Sequence, residues 1–348
     1  MSVLFLCLYP EEAASPRYRV GQFLPYLRGQ GIECEVAAPL SVEDWRRHSG
    51  PDRQGRACWY HLKETPQRLR QLLTARRYNV VFVQKALMSA YLRGMPALLS
   101  ACADRVIYDF DDAVHLQPPH ALRFPWRFLE NRRQIFQIMN QAEVVLAGNR
   151  WLADEAESHA RRVEYFPTVV DTDRFSPGAA PEKFCAGWIG SPSTTPALEV
   201  MGDGCGMLEA GALRLVGAHA ESVHCPNATV VPWALEREVA EVRGFSVGLF
   251  PQRKDAWTRG KCALKALLYM ACGVPCIATP YGAVLDMIED GENGLFADSP
   301  EAWASALERL RDSALRQRMG AAARASVESR FSLRKAAPRL QAILEETG

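Results

Sequence analysis

The feature that most narrows what this chain can fold into is a recurring alternation. Short continuous apolar runs, at Val3–Leu8, Glu33–Ala38, Val80–Gln84, Arg105–Phe110, Glu143–Ala147 and Val163–Phe166, are separated by longer helical patterns. Strands that are apolar on both faces must be covered on both faces, and helices between them supply that cover in a parallel sheet. The pattern breaks at residues 167–183, a stretch rich in Pro, Asp, Gly and Ala. It then restarts at Phe184–Ile189, Leu213–Val216, Thr229–Val231, Val247–Phe250, Cys276–Ala278 and Gly294–Ala297. The sequence therefore predicts an α/β protein of two doubly wound, Rossmann-like domains facing across a cleft. The expected boundaries are 1–168 for the first domain, 169–183 for a linker, 184–329 for the second domain, and 330–348 for a final helix packing back towards the first. Ligands of such sheets bind outside the carboxyl ends of the strands.

Composition supports this reading. A length of 348 residues gives room for two ordinary domains, and 48% hydrophobic with 23% charged residues is a soluble, globular balance. A formal net charge of +1 argues against a bulk nucleic-acid binder. The ten cysteines are scattered and form no C-x-x-C pair, so neither a zinc site nor a thioredoxin-like motif is indicated; reduced, buried thiols of a cytoplasmic protein are expected. The opening MSVLFLCLYP lacks a basic region and a cleavage site and reads as a first strand, and no segment reads as membrane-spanning.

The most informative chemistry lies in Arg259–Gly294. Lys261 and Lys265 sit one helical turn apart where an apolar helix begins, and a short strand then leads through Pro280, Tyr281 and Gly282 into another helix. Backbone N–H groups at a helix start are unpaired and attract anions. Spacing alone leaves two readings, a phosphate or diphosphate site and an ordinary solvated helix face.

Three other groups carry chemistry. Asp109, Asp111 and Asp112 follow the fourth strand, where carboxylates serve a metal, a catalytic step or the shaping of a loop. His115 is the candidate general base beside them. Arg17 and Arg19, at the first strand-to-helix turn, are candidates for an anionic acceptor or a donor phosphate, the alternative being solvated charges. The segment Ala121–Met139 interleaves aromatic and arginine residues, a pattern that fits either a membrane surface or an ordinary amphipathic helix.

These residues together resemble a known family. WIGSPST (188–194), LRLVGA (213–218), VGLFP (247–251), LLYMACGVPCIATPYG (267–282), DGENGLFA (290–297) and RMGAAARASVESRFS (318–332) match, in order and spacing, the donor half of retaining GT-B glycosyltransferases of family 4, glycosyl transferases group 1. In the first half, SPRYRVGQFLPYLRGQG (15–31) and FPTVVDTDRFSP (166–177) are similar to that family's first helix and interdomain junction. The resemblance implies the GT-B fold and transfer of a sugar from a nucleotide-sugar donor to a saccharide, lipid-linked or protein acceptor, with retention. It implies no cofactor and no metal; the expected location is cytoplasmic, with the segment Ala121–Met139 as the candidate for peripheral contact at the inner face of the membrane.

The residues themselves make Gly190, Ser191, Lys261, Lys265, Tyr281, Gly282 and Ala283 the expected donor-binding set, and Asp111, Asp112 and His115 the catalytic candidates. Two departures are plain, and the first is that the Arg and Lys that usually grip the diphosphate after the first donor-domain strand are not evident in residues 191–201. Two glutamates that contact the sugar and ribose in typical members correspond here to Gly260 and Leu268, and neither side chain accepts a hydrogen bond. Two rival functions stay open: a nucleotide-sugar epimerase of the same fold and, suggested by the missing glutamates, a non-catalytic nucleotide-sugar-binding subunit.

Overall fold

The computed structural model describes residues 1–48, 57–88, 94–116, 132–205, 208–209, 211–223, 225 and 227–346. Its twelve strands lie within a residue or two of the apolar runs. They are β1 (Ser2–Cys7), β2 (Glu33–Ala37), β3 (Val80–Gln84), β4 (Val106–Phe110), β5 (Val144–Ala147), β6 (Val163–Tyr165), β7 (Ala186–Ile189), β8 (Leu213–Val216), β9 (Ala228–Val231), β10 (Val247–Phe250), β11 (Cys276–Ala278) and β12 (Gly294–Phe296). Two compact units result. One comprises Met1–Thr168, Gly260–Cys262 and Ala336–Gly348; the other comprises Val169–Arg259 and Ala263–Lys335.

Each unit is built on a six-stranded, wholly parallel sheet. The first has the order β2-β1-β3-β4-β5-β6 and the second β12-β11-β10-β7-β8-β9. The chain winds outward from β1 in one sheet and from β7 in the other, so the strand order reverses between β1 and β3 and again between β7 and β10. Such a reversal opens a crevice at the carboxyl ends of the two central strands, where ligands of doubly wound folds bind. The central strands β3, β4, β7 and β10 are buried along their whole length, which is the reason their sequences show no polar alternation.

Two expectations meet a different outcome. Residues 169–183 do not run free. Val170 pairs with Phe331 and Ser332, Phe175 is buried, and Arg324 donates to the Thr172 carbonyl, so this stretch packs within the second unit. The cysteines are also not uniformly reduced: Cys7, Cys34, Cys102, Cys185, Cys262, Cys272 and Cys276 are free, but Cys225 is disulfide-bonded. The last helix, Leu333–Glu345, holds to the first unit by polar contacts. Tyr26 donates to Gln341, Arg105 to the Leu344 carbonyl, and Arg339 to the Tyr165 carbonyl. The aromatic and arginine segment at residues 121–131 lies outside the described residues. Past it, the helix Gln134–Gln141 packs Ile135, Ile138 and Met139 into the core. Among the described residues no helix is long and apolar enough to cross a membrane.

Candidate functional site

In the second unit, β7 ends at Ile189 and the chain turns at Gly190. A Cβ on Gly190 would lie 2.5 Å from both the Lys265 Nζ and the Trp188 ring, so only glycine lets these two side chains meet there. The Lys265 ammonium sits 4.1 Å from the Trp188 ring centroid and donates to Thr194 Oγ1 at 2.9 Å. Trp188 is fully buried, which makes its ring a fixed platform for the cation. On the neighbouring strand, Gly217 (φ 77°) approaches so closely that a Cβ would meet the Gly190 carbonyl oxygen at 2.2 Å. The result is a backbone-lined turn with a positive charge beside it, rimmed by the exposed hydroxyls of Ser191 and Ser193, which lie 3.0 Å apart.

Lys265 reaches this turn from the helix Leu264–Ala271. That helix starts after Ala263, which has a left-handed φ of 50° and provides no side-chain cap, so the first N–H groups have no capping side chain. Tyr269, on the same helix, fastens it to the sheet: the Ile189 N–H donates to its hydroxyl at 3.0 Å. On the other side of the crevice, the Gln252 N–H donates to Thr279 Oγ1 at 3.1 Å, tying the end of β10 to the end of β11. Tyr281 donates to the Asp255 carbonyl, Gly282 takes a φ of 67° next to the Arg259 carbonyl, and Ala283 is buried, so these three residues shape the turn after β11.

Lys261 is placed differently from the expectation. It precedes the helix, so it does not share a helical face with Lys265. With Gly260 and Cys262 it belongs to the first unit: its carbonyl accepts from Asn149 Nδ2, and Cys262 Sγ donates to the Asp111 carbonyl at 3.1 Å. The departure at Gly260 has a steric cause. A Cβ there would lie 2.6 Å from the Ala113 Cβ and 2.8 Å from its backbone nitrogen, leaving no room for a glutamate. Leu268 is 3% exposed and part of the core.

The three aspartates of the first unit take three separate partners. Asp109 is fully buried and paired with Arg19 through Nε and Nη2, while Arg19 Nη1 donates to the Phe166 carbonyl. Burial pushes the Asp109 carboxyl up to about 6, although Arg19 pulls the other way. Burial also works against the charge of Arg19, but Asp109 more than offsets it and the guanidinium stays protonated. Arg19 is 2% exposed and committed to this pair, which corrects its reading as an anion-binding side chain: the arginine anchors the first helix to β4. Arg17 is half-buried, with its guanidinium over the Tyr18 ring.

Asp111 accepts from Ser15 Oγ and from Gln84 Nε2 at 3.2 Å, and Gln84 also donates to Ser15 at 2.7 Å. Asp112 pairs with Lys85 at 2.7 Å and accepts from its neighbour's N–H. Lys85 has a left-handed φ of 72°, a strained conformation for a residue with a side chain, held by the Tyr108 hydroxyl donating to its carbonyl at 2.8 Å. This polar edge, with Ser15, Gln84 and Lys85, is what a linear reading of the aspartate motif missed. Its members come from sequence positions up to 96 residues apart, and nothing in the local pattern signals their meeting. Among the described residues no group of three or more His, Cys, Asp or Glu side chains is arranged to hold a metal.

His115 lies in a box of rings, with centroids 5.4 Å from Phe110, 5.7 Å from Phe136 and 5.8 Å from Trp151. Its side chain is 4% exposed, with the Glu155 carboxylate 3.5 Å from Nε2. Burial, with smaller contributions from His159 and Arg132, lowers its pKa to about 4, so it is neutral at pH 7.

Comparison with known proteins agrees with this geometry. Residues 196–313 match the family model described as glycosyl transferases group 1. A 69-residue stretch is 38% identical to the N-acetyl-alpha-D-glucosaminyl L-malate synthase of Bacillus anthracis, covering 19% of this chain and 18% of that protein. Over 99% of its length the chain superposes on a sucrose-phosphate synthase from Thermosynechococcus elongatus (98% of that chain, TM-score 0.70, 15% identity). It also superposes on Anabaena HepE in complex with UDP and glucose (99% of that chain, TM-score 0.69, 13% identity). At such identities the structural likeness establishes the fold. The two parallel six-stranded units have the GT-B fold, and the stretch that matches glycosyl transferases group 1, residues 196–313, lies within the second of them.

Proposed function

We propose that this chain is a glycosyltransferase that moves a sugar from a nucleotide-sugar donor to a hydroxyl acceptor, with retention and without a metal, in the cytoplasm. The observation that carries the reading is Lys265, held over Trp188 beside the glycine turn that ends β7. A nucleoside diphosphate is the ligand class with the right complement. Its charge satisfies the ammonium, its oxygens accept from backbone N–H groups at the turn and the helix start, and it relieves the repulsion between a lysine and the positive helix end. That the solved Anabaena neighbour holds UDP supports this choice.

The chemistry follows from the charge distribution. The bond from the anomeric carbon to the diphosphate oxygen breaks, and the oxygen keeps the electron pair. Lys265 and the backbone donors stabilise the developing diphosphate charge in place. The acceptor oxygen then bonds to the oxocarbenium-like carbon on the face the diphosphate leaves, so the departing phosphate oxygen is the nearest group to take the acceptor proton. Asp111 and Asp112, set by Ser15, Gln84 and Lys85, are proposed to position the acceptor hydroxyl, a saccharide, lipid-linked or protein group. His115, three residues after Asp112, is neutral and packed among aromatic rings. The test is a thermal-shift screen of UDP-, GDP- and ADP-linked sugars and their free diphosphates. A ligand present at 100 times its Kd should stabilise by about 2.7 kcal/mol; no shift with any of them would refute the reading.

A further inference from the structure

Gln252 stands two residues beyond the end of β10, the strand that pairs with β7 where strand order reverses in the second sheet. Its backbone is held there by Thr279. The residue is 95% buried, yet its side-chain oxygen Oε1 finds no hydrogen-bond donor among the described residues. A buried acceptor left unpaired is costly, and an apolar side chain of the same length would avoid that cost. Elsewhere in the crevice the polar groups are donors suited to an anion: the Lys265 ammonium, the Ser191 hydroxyl and backbone N–H groups. An amide oxygen cannot bind a phosphate oxygen. It requires a ligand group that donates, and in a nucleotide sugar the abundant donors are hydroxyls.

Strand alternation gives a second line of argument. The Cβ of Gly248 would point at Tyr269, on the helix Leu264–Ala271, so Phe250, two residues further along β10, shares that face, and Gln252 follows two residues past the strand's end. That helix begins at the same edge of the sheet with its uncapped turn. The packing at Gly260 and Leu268 removes both acidic positions at which typical members of the family accept sugar and ribose hydroxyls, so the site needs an acceptor from elsewhere.

We infer that Gln252 is a specificity-determining residue whose Oε1 accepts a hydrogen bond from a hydroxyl of the donor, on the transferred sugar or on the ribose. This inference rests on the donor-binding reading above. The experiment compares wild type and Gln252→Met by calorimetry with three probes: inorganic pyrophosphate, the best nucleoside diphosphate from the screen, and its sugar-linked form. Loss of one hydrogen bond predicts about a three- to twelvefold rise in Kd. Pyrophosphate, which has no hydroxyl, should bind both proteins equally, and the melting temperature of the free variant should not fall. A loss confined to the nucleotide sugar places the bond on the transferred sugar; an equal loss for the diphosphate places it on the ribose. Unchanged affinity for both nucleotide ligands overturns the inference, as does an equal loss for pyrophosphate, which would mark Gln252 as a packing residue. If wild type binds none of the three, the donor-binding reading itself falls.

Discussion

The Lys265→Met substitution tests the site at its centre. Methionine keeps the length and apolar stem of lysine, so the packing beside Gly190 and over Trp188 survives while the charge is removed. In the free protein the change removes the 2.9 Å bond to Thr194 and the cation–π contact with Trp188. Those are worth about 1 kcal/mol each at a half-buried position, and relief of the lysine's own desolvation and of its repulsion by the helix end returns part of that. Folding stability should therefore change by no more than about 1–2 kcal/mol. Binding should change more. The ammonium brings a charge-assisted bond to a bound diphosphate, and such a bond contributes about 1.5–3 kcal/mol. The Kd for a nucleoside diphosphate should rise roughly ten- to 150-fold. Isothermal calorimetry with the best diphosphate from the screen, next to thermal denaturation of the free variant, separates the two effects. A Kd within twofold of wild type would refute the reasoning, and a lowered melting temperature with that unchanged Kd would show Lys265 to be a structural cation only.

Three further outcomes are expected. Because burial lowers the His115 pKa to about 4 from an unfolded value near 6.5, the unfolded state takes up a proton that the folded state refuses; the stability from this group is present above pH 6.5 and is lost as pH falls towards 4. Urea titrations at pH 7 and pH 4 should show His115→Phe losing about 2 kcal/mol less than wild type over that range, and identical losses would contradict the burial argument. Arg19→Met leaves Asp109 buried without its partner and should cost about 3–5 kcal/mol, whereas the double variant Arg19→Met, Asp109→Leu should recover much of it; equal melting temperatures for wild type and the single variant would show that the pair anchors nothing. Gly260→Glu restores the acidic residue usual in the family but drives its Cβ into Ala113, so it should lower the melting temperature and abolish turnover; a folded, more active variant would show that the backbone there yields.

Local pattern carried a great deal. The central strands β3, β4, β7 and β10 stand where apolar runs lie, because a strand covered on both faces is buried at every position; the edge strands β2 and β6 carry Glu33, Glu35 and Glu164 and are only partly covered. The donor-half motifs lay in order along the chain because they are contiguous stretches of strand, turn and helix. The Lys261 assignment shows where such reading stops. Counting four residues between two lysines assumes a continuous helix, but the left-handed backbone at Ala263 ends the helical register before Lys261, and three residues there join the other unit. Arg19 shows the same limit. Its charge and its place in the first turn suggest a ligand contact, yet Asp109, 90 residues away in sequence, takes up the guanidinium.

The sequence by itself therefore determined the class of fold and the two parallel sheets, since these depend on periodicity and turn chemistry between near neighbours. Only the tertiary structure decided which polar side chains are committed to one another and which are left over. Arg19 is spent on Asp109, Asp111 on Ser15 and Gln84, Asp112 on Lys85, and Lys265 on Trp188 and Thr194, while the Gln252 side-chain oxygen has no donor among the described residues. The physical reason is that hydrogen bonds and ion pairs act over about 3 Å in space, with no regard to separation along the chain.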